Sequence, residues 1–384
     1  MLHTPDTLTV TPVATKADRK AFVRLPYDLY RGDLAWRPPV RLERAMQIDP
    51  KHNKLMGDID ATLFLARRRG RVVGRVASFV NARHHELHDA EEGAFGYFDC
   101  TDDPAVGNAL LAAVESDQRA RGMSRVVGPM QWSVNEEVGL LVEGFEHPNV
   151  ILMPYGKPYY RDMLEARGWE KRVDMFAFQA DLPASHPRPP AVRRLIKAGK
   201  QNSRISIRRI DKSRFVEEVR VALDIYNDAW SVNWGALPYT PEEAEALAKE
   251  LKPIMFDGSF QFAEIDGEAV AFGVVLPDLY QAVRDLDGKL ASLGLPKALY
   301  RILAKKVDQG RMPLMGMKSV WQKNRYGVTA MTWLCDELFL AAEANGFRYL
   351  ELGWVLESNT SLIQITEQVK AEPYKRYRMY GLEL

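Results

Sequence analysis

The sequence predicts an α/β protein built from two tandem domains, and three observations support this prediction. The chain has 384 residues, which is long for one compact domain. Four prolines fall within residues 181–194 (DLPASHPRPPAVRR), where they interrupt regular structure. On each side of them, helices and strands follow one another in a similar order. We therefore predict domains at residues 1–182 and 196–384, joined by a linker at 183–195.

The first half opens with a predicted helix and continues with a hairpin whose turn contains Gly70. The predicted helices cover 16–31, 106–121 and 159–167, and the predicted strands cover 61–69, 71–80, 93–100, 124–127 and 173–179. This alternation of strands and helices is typical of an α/β fold.

The second half repeats this order of helices and strands. Its hairpin, FQFAEIDGEAVAFGVVL (260–276), turns at Asp266 and Gly267, a pair typical of tight hairpins. The predicted helices cover 213–230, 241–251, 331–345 and 361–369, the predicted strands cover 312–320, 347–355 and 376–382, and a mostly helical insertion spans about 280–307. The octapeptide KNRYGVTA (323–330) is predicted to be the loop between a strand and a helix.

Charge and cysteine content limit the function classes. The net charge of +1 argues against a dedicated nucleic-acid binder. Two stretches, 193–214 and 297–325, carry nine and eight Lys/Arg residues with one Asp each. Each is either a solvated face or a contact for a polyanion, meaning a phosphorylated cofactor or an anionic membrane surface.

The two cysteines, Cys100 and Cys335, have neither metal-like nor redox-like spacing. We therefore predict no metal site and expect a reducing, cytoplasmic location. The sequence shows no signal-peptide pattern and no apolar run of about 18 residues. We expect a protein that does not span a membrane, with peripheral contact to the inner face of the cytoplasmic membrane left open. Oligomeric state is not predicted.

The setting of KNRYGVTA between a strand and a helix resembles a loop of the GNAT acyltransferase superfamily, typically Arg/Gln-x-x-Gly-x-Gly/Ala. In that superfamily, backbone N–H groups at the helix start bind the pyrophosphate of acyl-CoA. The resemblance implies two tandem GNAT-like domains, each with a mixed, mostly antiparallel central sheet flanked by helices. It also implies that the fourth and fifth strands splay apart. Acyl-CoA would enter that gap as a co-substrate, with no permanently bound cofactor.

The resemblance further implies that the second half binds acyl-CoA. The implied cofactor-binding residues are Val320, Gln322, Lys323, Asn324, Arg325, Tyr326, Gly327, Val328, Thr329 and Asn359. Thr329 stands where the family usually has Gly or Ala. Asn359 opens the helix after the fifth strand, and it either lies near the cofactor, caps the helix, or does both. The alternative for KNRYGVTA is an ordinary basic turn.

The corresponding loop of the first half, CTDDPAVGNAL (100–110), is acidic. Asp99, Asp102 and Asp103 surround the place that a pyrophosphate would occupy. Carboxylates beside phosphates in a partly desolvated site would cost on the order of several kcal/mol. We therefore predict that the first half retains the fold without the cofactor function and helps to form the acceptor pocket.

Acyl transfer to an amine requires a group that accepts the proton of the amine. Glu351 on the predicted fifth strand, and Glu137 and His147 in the first half, are the candidate bases, which the sequence does not separate. The alternatives are an ion pair for Glu351 and an ordinary surface loop for His147. At the position of the tyrosine acid of the family, the two halves carry Thr366 and Leu164. Tyr374, Tyr377 or Tyr380 would then substitute, or the thiolate leaves unprotonated.

Two further segments are candidates for the acceptor side. Trp230, Trp234 and Tyr239 follow the first helix of the second half, where they either line an apolar tunnel or belong to the core. In the insertion, Leu299, Ile302, Leu303 and Val307 recur at helical spacing beside basic residues. That helix is either packed on the core or rests on anionic lipid.

Residues 135–171 and 350–380 resemble a bacterial group of GNAT-like proteins that includes a ceramide synthase. This narrower resemblance implies transfer of an acyl group from acyl-CoA to the amine of a long-chain sphingoid base. Two alternatives remain open: acetylation of a small polar amine, and a non-catalytic GNAT-like binding module.

Overall fold

The computed structural model describes residues 7–182, 188–290, 294–368 and 370–384. These residues form two compact units. Unit 1 contains the described residues within Met1–Met175, Val283–Leu295 and Lys375–Leu384. Unit 2 contains those within Phe176–Ala282 and Pro296–Tyr374.

The predicted elements of the first part of the chain occur in the predicted order. The elements are β1 (Leu8–Pro12), α1 (Lys16–Leu29), α2 (Arg41–Gln47), β2 (Ile59–Arg68), β3 (Arg71–Asn81), α3 (Ala82–Leu87), β4 (Glu92–Cys100), α4 (Pro104–Ala120), β5 (Arg125–Gly128), β6 (Leu140–Glu143), α5 (Tyr159–Ala166) and β7 (Glu170–Asp181). The structure thereby adds β1, α2, α3 and β6, which were not predicted. Side-chain caps fix two of the helix starts, because Thr15 accepts from the backbone N–H of Asp18 and Asp103 accepts from that of Ala105.

The second part of the chain continues the series. Its elements are α6 (Pro190–Gln201), β8 (Ile205–Arg209), α7 (Phe215–Trp230), α8 (Pro241–Leu251), β9 (Phe260–Ile265), β10 (Glu268–Pro277), α9 (Leu279–Val283), α10 (Gly294–Leu303), β11 (Gln309–Met317), α11 (Ser319–Gln322), α12 (Arg325–Ala344), β12 (Tyr349–Leu356), α13 (Thr360–Gln368) and β13 (Glu372–Glu383). The β9–β10 turn lies at Asp266 and Gly267, as predicted. Both residues have the positive φ that such turns require.

The sheet of unit 1 is mostly antiparallel. Strands β1 to β4 pair antiparallel in sequence order, whereas β4 and β5 are parallel. Strand β13 runs antiparallel to β5, from Tyr380 opposite Gly128 to Glu383 opposite Arg125, and it also pairs with β6. One face is covered by α4. Helix α1 covers the other face, where Arg75 of β3 reaches the carbonyl of Phe22.

The sheet of unit 2 has the same design. Strands β8 to β11 pair antiparallel, and β11 and β12 are parallel. Apolar residues of α12, including Leu334 and Leu338, pack on one face. Helices α7 and α8 pack on the other face around Phe262 and Phe272. The predicted fold class, a mixed and mostly antiparallel sheet flanked by helices in each half, is confirmed.

The structure divides the chain elsewhere than at the predicted boundaries. The final strand, assigned from the sequence repeat to the second half, contributes residues 375–383 to unit 1 because its backbone pairs with β5 and β6. Strand β7 begins in unit 1 and ends in unit 2. Of the insertion at 280–307, residues 283–290 and 294–295 belong to unit 1.

The predicted linker at 183–195 overlaps a helix. Residues 183–187 lie outside the described residues. Pro190 opens α6, so the second part of the predicted linker is helical. A proline at the first helical position loses no hydrogen bond, since the N–H that it lacks would have no partner inside the helix.

The octapeptide KNRYGVTA is mostly helical, not the predicted loop. The sequence predicts a helix from Met331, whereas α12 begins at Arg325. Asn324 is its N-cap, because its side-chain oxygen accepts from the backbone N–H of Tyr326 at 2.8 Å. Glycine disfavours helix interiors, which is why the sequence pattern places the helix start too late.

Among the described residues, every helix is too short or too polar to cross a lipid bilayer.

Candidate functional site

The strands β11 and β12 of unit 2 separate along their length, as expected for a GNAT fold. Their parallel pairing runs only from Gln309 opposite Tyr349 to Met312 opposite Leu352. Beyond this point β11 continues to Met317 and β12 continues to Leu356. A narrow cleft of about 50 Å³ opens between the diverging ends.

The walls of this cleft are largely apolar. The lining residues come from β11, β12, α7, α12 and α13, and they are Met312, Pro313, Met315, Leu352, Gly353, Trp354, Val355, Trp230, Cys335, Phe339, Leu362, Ile365 and Thr366. Such a lining suits an alkyl chain or another extended apolar group. The side-chain hydroxyl of Thr366 donates to the carbonyl of Ile363 at 2.7 Å.

The predicted acceptor residues lie beside or behind this cleft. Trp230 lines it, donates its indole N–H to the carbonyl of Met315 at 3.1 Å, and stacks on Tyr226. Tyr239 packs against Tyr226 with ring centroids 5.4 Å apart. Trp234 is half-buried in the turn between α7 and α8. The structure therefore brings Trp230 to the cleft and leaves Tyr239 one aromatic ring away from it.

A buried ionic cluster borders the cleft. Glu351 of β12 has no exposed surface, and its Oε1 lies 3.3 Å from Nε of Arg311 on β11. The hydroxyl of Tyr374 donates to Oε2 of Glu351. The guanidinium of Arg311 also donates to the carbonyl of Gly353 at 3.0 Å, and Gly353 lines the cleft. Two of the predicted catalytic residues, Glu351 and Tyr374, are thus in direct contact.

Arg311 was not predicted from the sequence. The sequence feature that could have pointed to it is an arginine within the mostly apolar strand QGRMPLMGM. Its partner lies 40 positions further along the chain. Only the strand register, which places Arg311 directly opposite Glu351, brings the two charges together.

The N-terminus of α12 carries the predicted phosphate-binding residues. The first N–H groups of a helix have no acceptor within it, so this end of α12 is suited to an anion. Lys323 and Arg325 are exposed there. The guanidinium carbons of Arg325 and Arg204 each lie 4.8 Å from the ring centroid of Tyr326. A hydrogen bond from Arg325 and its positive charge lower the pKa of Tyr326.

Gly327 has a structural reason to be glycine. A Cβ added there would lie 2.1 Å from the carbonyl oxygen of Trp321. Glycine is therefore required at this position because the backbone of Trp321 packs closely against it at the α11–α12 junction. Thr329 is buried in the helix, where its hydroxyl donates to the carbonyl of Arg325 at 2.8 Å.

The other predicted cofactor residues divide into exposed and capping positions. Val320 and Gln322 are exposed on α11, and Val328 is exposed on α12. Asn359 caps α13, because its side-chain oxygen accepts from the backbone N–H of Leu362 at 3.1 Å. The capping role that the sequence suggests for Asn359 is confirmed by this hydrogen bond.

The remaining predicted bases, Glu137 and His147, lie in unit 1 and do not form a cluster with each other. Glu137 is buried, pairs with Arg44, and accepts from the side-chain amide of Gln131 at 2.8 Å. The side chain of His147 is 41% exposed, and its Nε2 lies 3.4 Å from a carboxylate oxygen of neighbouring Glu146.

The first helix after β4 in unit 1 begins at acidic residues. Asp103 caps α4 and also pairs with Arg68 at 2.6 Å. A carboxylate therefore occupies the N-terminus of this helix, where a pyrophosphate would otherwise bind. Among the described residues, no group of three or more His, Cys, Asp or Glu side chains could hold a metal ion.

Comparisons with known proteins identify the family. No family model matches the sequence. The chain is 39% identical over 374 residues to the bacterial ceramide synthase of Caulobacter vibrioides (strain NA1000 / CB15N), and the match covers 97% of each chain. It is 36% identical over 372 residues to Protein YghO of Escherichia coli (strain K12), which covers 96% of this chain and 94% of that protein.

Solved structures agree on the fold. A tandem GNAT protein from the clavulanic acid biosynthesis pathway has a TM-score of 0.57 at 12% identity, and the match covers 98% of each chain. A GCN5-related N-acetyltransferase from Sphaerobacter thermophilus has a TM-score of 0.53 at 14% identity, covering 99% of this chain and 96% of that chain. The chain therefore belongs to the family of the bacterial ceramide synthase, and it is an acyltransferase with the tandem GNAT fold.

Proposed function

We propose that this protein is an acyl-CoA-dependent N-acyltransferase whose acceptor is a long-chain sphingoid base, so that the product is a ceramide. The observation that carries the proposal is the apolar cleft between β11 and β12 with the Glu351–Tyr374 contact beside it. The name of the Caulobacter relative supports the choice of acceptor.

The donor is proposed to bind in unit 2. Its pyrophosphate would lie at the N-terminus of α12, where the helix dipole and the exposed cations Lys323 and Arg325 favour an anion. Its acyl chain would occupy the apolar cleft, whose walls include Trp230 and Phe339. Acyl-CoA would bind and leave in each turnover, so we propose it as a co-substrate and propose no permanently bound cofactor.

Glu351 is proposed as the base that acts through Tyr374. The Glu351 carboxylate is buried, whereas Tyr374 is only half-buried and donates its hydroxyl proton to that carboxylate. As the amine nitrogen attacks the thioester carbon, its proton passes to the Tyr374 oxygen and the tyrosine proton passes to Glu351. The C–N bond forms, the C–S bond breaks, and the thiolate leaves. The proton held by Glu351 then returns through Tyr374 to the thiolate or to solvent.

A donor-competition experiment tests this function. We expect purified protein to form an amide from palmitoyl-CoA and sphinganine. We expect palmitoyl-CoA to outcompete acetyl-CoA because a long chain makes more contacts with the apolar walls of the cleft. Mass spectrometry of the product and calorimetry with each thioester measure both effects. A preference for acetyl-CoA would favour the small-amine alternative. Binding without transfer to any amine would favour the non-catalytic alternative.

The proposed donor site is tested with a substitution at an exposed position, because a substitution of Gly327 would not separate loss of phosphate binding from misfolding. Any side chain at Gly327 would collide with the Trp321 carbonyl and disturb the fold whether or not phosphate binds there. Arg325→Glu reverses an exposed charge instead, and it should weaken palmitoyl-CoA binding by about tenfold. Arg209→Glu, at an exposed residue paired with Asp257, is the matched control. Equal binding by both variants would place the pyrophosphate elsewhere.

Peripheral contact with an anionic membrane is also proposed, through α10. Ile302 and the adjoining Val307 pack on the core of unit 2, but Leu299 and Leu303 are 49% and 81% exposed. Tyr300 is exposed beside them. Exposed apolar side chains next to lysines are the pattern of helices that rest on anionic lipid.

Vesicle flotation measures this contact. We expect the protein to float with vesicles that contain phosphatidylglycerol at low salt, and Leu299→Ser combined with Leu303→Ser should reduce the floated fraction severalfold. Leu340→Ser, at an exposed leucine of α12, is the control that should leave flotation unchanged. Failure of the parent protein to float at low salt would exclude the contact.

A further inference from the structure

Unit 1 contains a cavity whose residues take no part in the proton transfers proposed for unit 2. It lies beside the end of β4, and α1, α2 and the segment 129–155 close it. Its volume of about 100 Å³ leaves room for a small polar group rather than for a whole lipid. Aromatic rings form much of the lining, among them Tyr27, Tyr30 and Trp36.

Tyr97 enters this cavity from an irregular position in β4. Between the pairs Ala77–Gly96 and Arg75–Asp99, β4 contains one more residue than β3, which is a β-bulge. Tyr97 lies in the bulge with φ of +50°, a conformation that is unfavourable for a bulky side chain. Bulges of this kind re-aim a side chain, and here Tyr97 becomes part of the cavity lining.

The Tyr97 hydroxyl is buried and has no hydrogen-bond partner among the described residues. Burial raises the pKa of this phenol, so it remains protonated and can donate a hydrogen bond. A buried polar group without a partner destabilises a fold, and a strained backbone does so as well. Both features occur at one residue that lines a cavity. They indicate that the position is kept for a ligand and not for stability.

The charges around the cavity indicate what that ligand is. Arg75 pairs with Asp99 at 2.7 Å, and Arg44 pairs with Glu137. Two guanidinium groups and two carboxylates therefore line the cavity, and their charges cancel. A phosphorylated ligand gains little from such a lining. A neutral ligand with hydrogen-bonding groups suits it, and an amine must be neutral to attack a thioester.

We propose that this cavity binds the polar head of an amino alcohol, with the Tyr97 hydroxyl as a hydrogen-bond partner of a ligand hydroxyl. This inference rests on the proposed function for the identity of the amino alcohol, namely the sphingoid-base acceptor. The first methylene groups of its chain would contact the tyrosine and tryptophan rings.

A pair of ligands matched in chain length tests the role of the hydroxyl. Calorimetry is performed with sphinganine and with octadecylamine, which lacks the hydroxyls, each in the same detergent micelles. The parent protein should bind sphinganine roughly five- to tenfold more tightly than octadecylamine, as expected for one hydrogen bond in a buried site. Tyr97→Phe should abolish that preference. Its thermal midpoint should stay the same or rise, because an unpartnered buried hydroxyl has been removed.

Tyr159→Phe is the matched control. The Tyr159 hydroxyl donates to the carbonyl of Cys100 at 2.8 Å, so its loss should lower the thermal midpoint and leave the preference unchanged. The inference is overturned if Tyr97→Phe keeps the preference for sphinganine, or if the parent protein shows none. The acyl-transfer assay is read separately. Absence of amide product from the parent protein refutes the proposed function, while a preference that depends on Tyr97 still supports this site.

Discussion

Replacing Glu351 with Gln is expected to reduce the rate of acyl transfer by about 10²- to 10⁴-fold, the usual contribution of general base catalysis. Glutamine keeps the shape of the side chain but cannot accept the proton that Tyr374 passes on. Binding of palmitoyl-CoA should change little, because Glu351 is buried beneath the cleft and not part of its lining. Single-turnover kinetics and calorimetry on the same preparation separate the two effects.

Tyr374→Phe is the companion variant. It removes the hydroxyl that contacts Glu351 and leaves the carboxylate and Arg311 in place. If the proton moves through Tyr374, this variant should lose most of the activity while retaining donor binding. If Tyr374→Phe is active and Glu351→Gln is not, the proton reaches Glu351 by another route. If Glu351→Gln is active, the base is elsewhere.

Replacing Arg311 with Ala is expected to lower the free energy of unfolding by about 3–5 kcal/mol, the usual cost of breaking a buried ion pair. The variant leaves the Glu351 carboxylate fully buried without its guanidinium, and it also removes the hydrogen bond to the Gly353 carbonyl. Urea unfolding followed by tryptophan fluorescence measures the loss. A loss below about 1 kcal/mol would be the size expected of an exposed ion pair.

A double variant distinguishes a structural pair from a catalytic one. Arg311→Met combined with Glu351→Leu replaces both charges with apolar groups, and such replacements are often neutral or stabilising. We expect the double variant to recover most of the stability lost in Arg311→Ala. We also expect it to remain inactive, because the base is gone. Recovery of both stability and activity would show that the pair serves only the fold.

The local features of the fold could be predicted from the sequence because they depend on neighbouring residues. The turn at Asp266 and Gly267 follows from residues that accept positive φ. The cap by Asn359 follows from its place before an amphipathic segment. The start of α12 was predicted too late because a glycine such as Gly327, among its sequence neighbours, is typical of a loop. Its close contact with the Trp321 carbonyl becomes apparent only in the folded chain.

The long-range features could not be predicted in the same way. Nothing near Glu351 in the sequence indicates that Arg311 lies opposite it, since that contact depends on the register of β11 and β12. The unpartnered hydroxyl of Tyr97 depends on a bulge that appears only when β3 and β4 pair. The sequence repeat placed the final strand in the second half. Its backbone pairs instead with β5 of the first half, a contact that no local pattern in the sequence indicates.

The assignment of residues 375–384 to unit 1 limits where the chain can be cut into fragments that fold on their own. A fragment that ended near residue 182 would lack the strand that pairs with β5 and β6, and it would expose their unpaired N–H and C=O groups. The first half is therefore not an independent module that recombination could exchange at the proline-rich segment, because the strand that completes its sheet is encoded after the whole of unit 2.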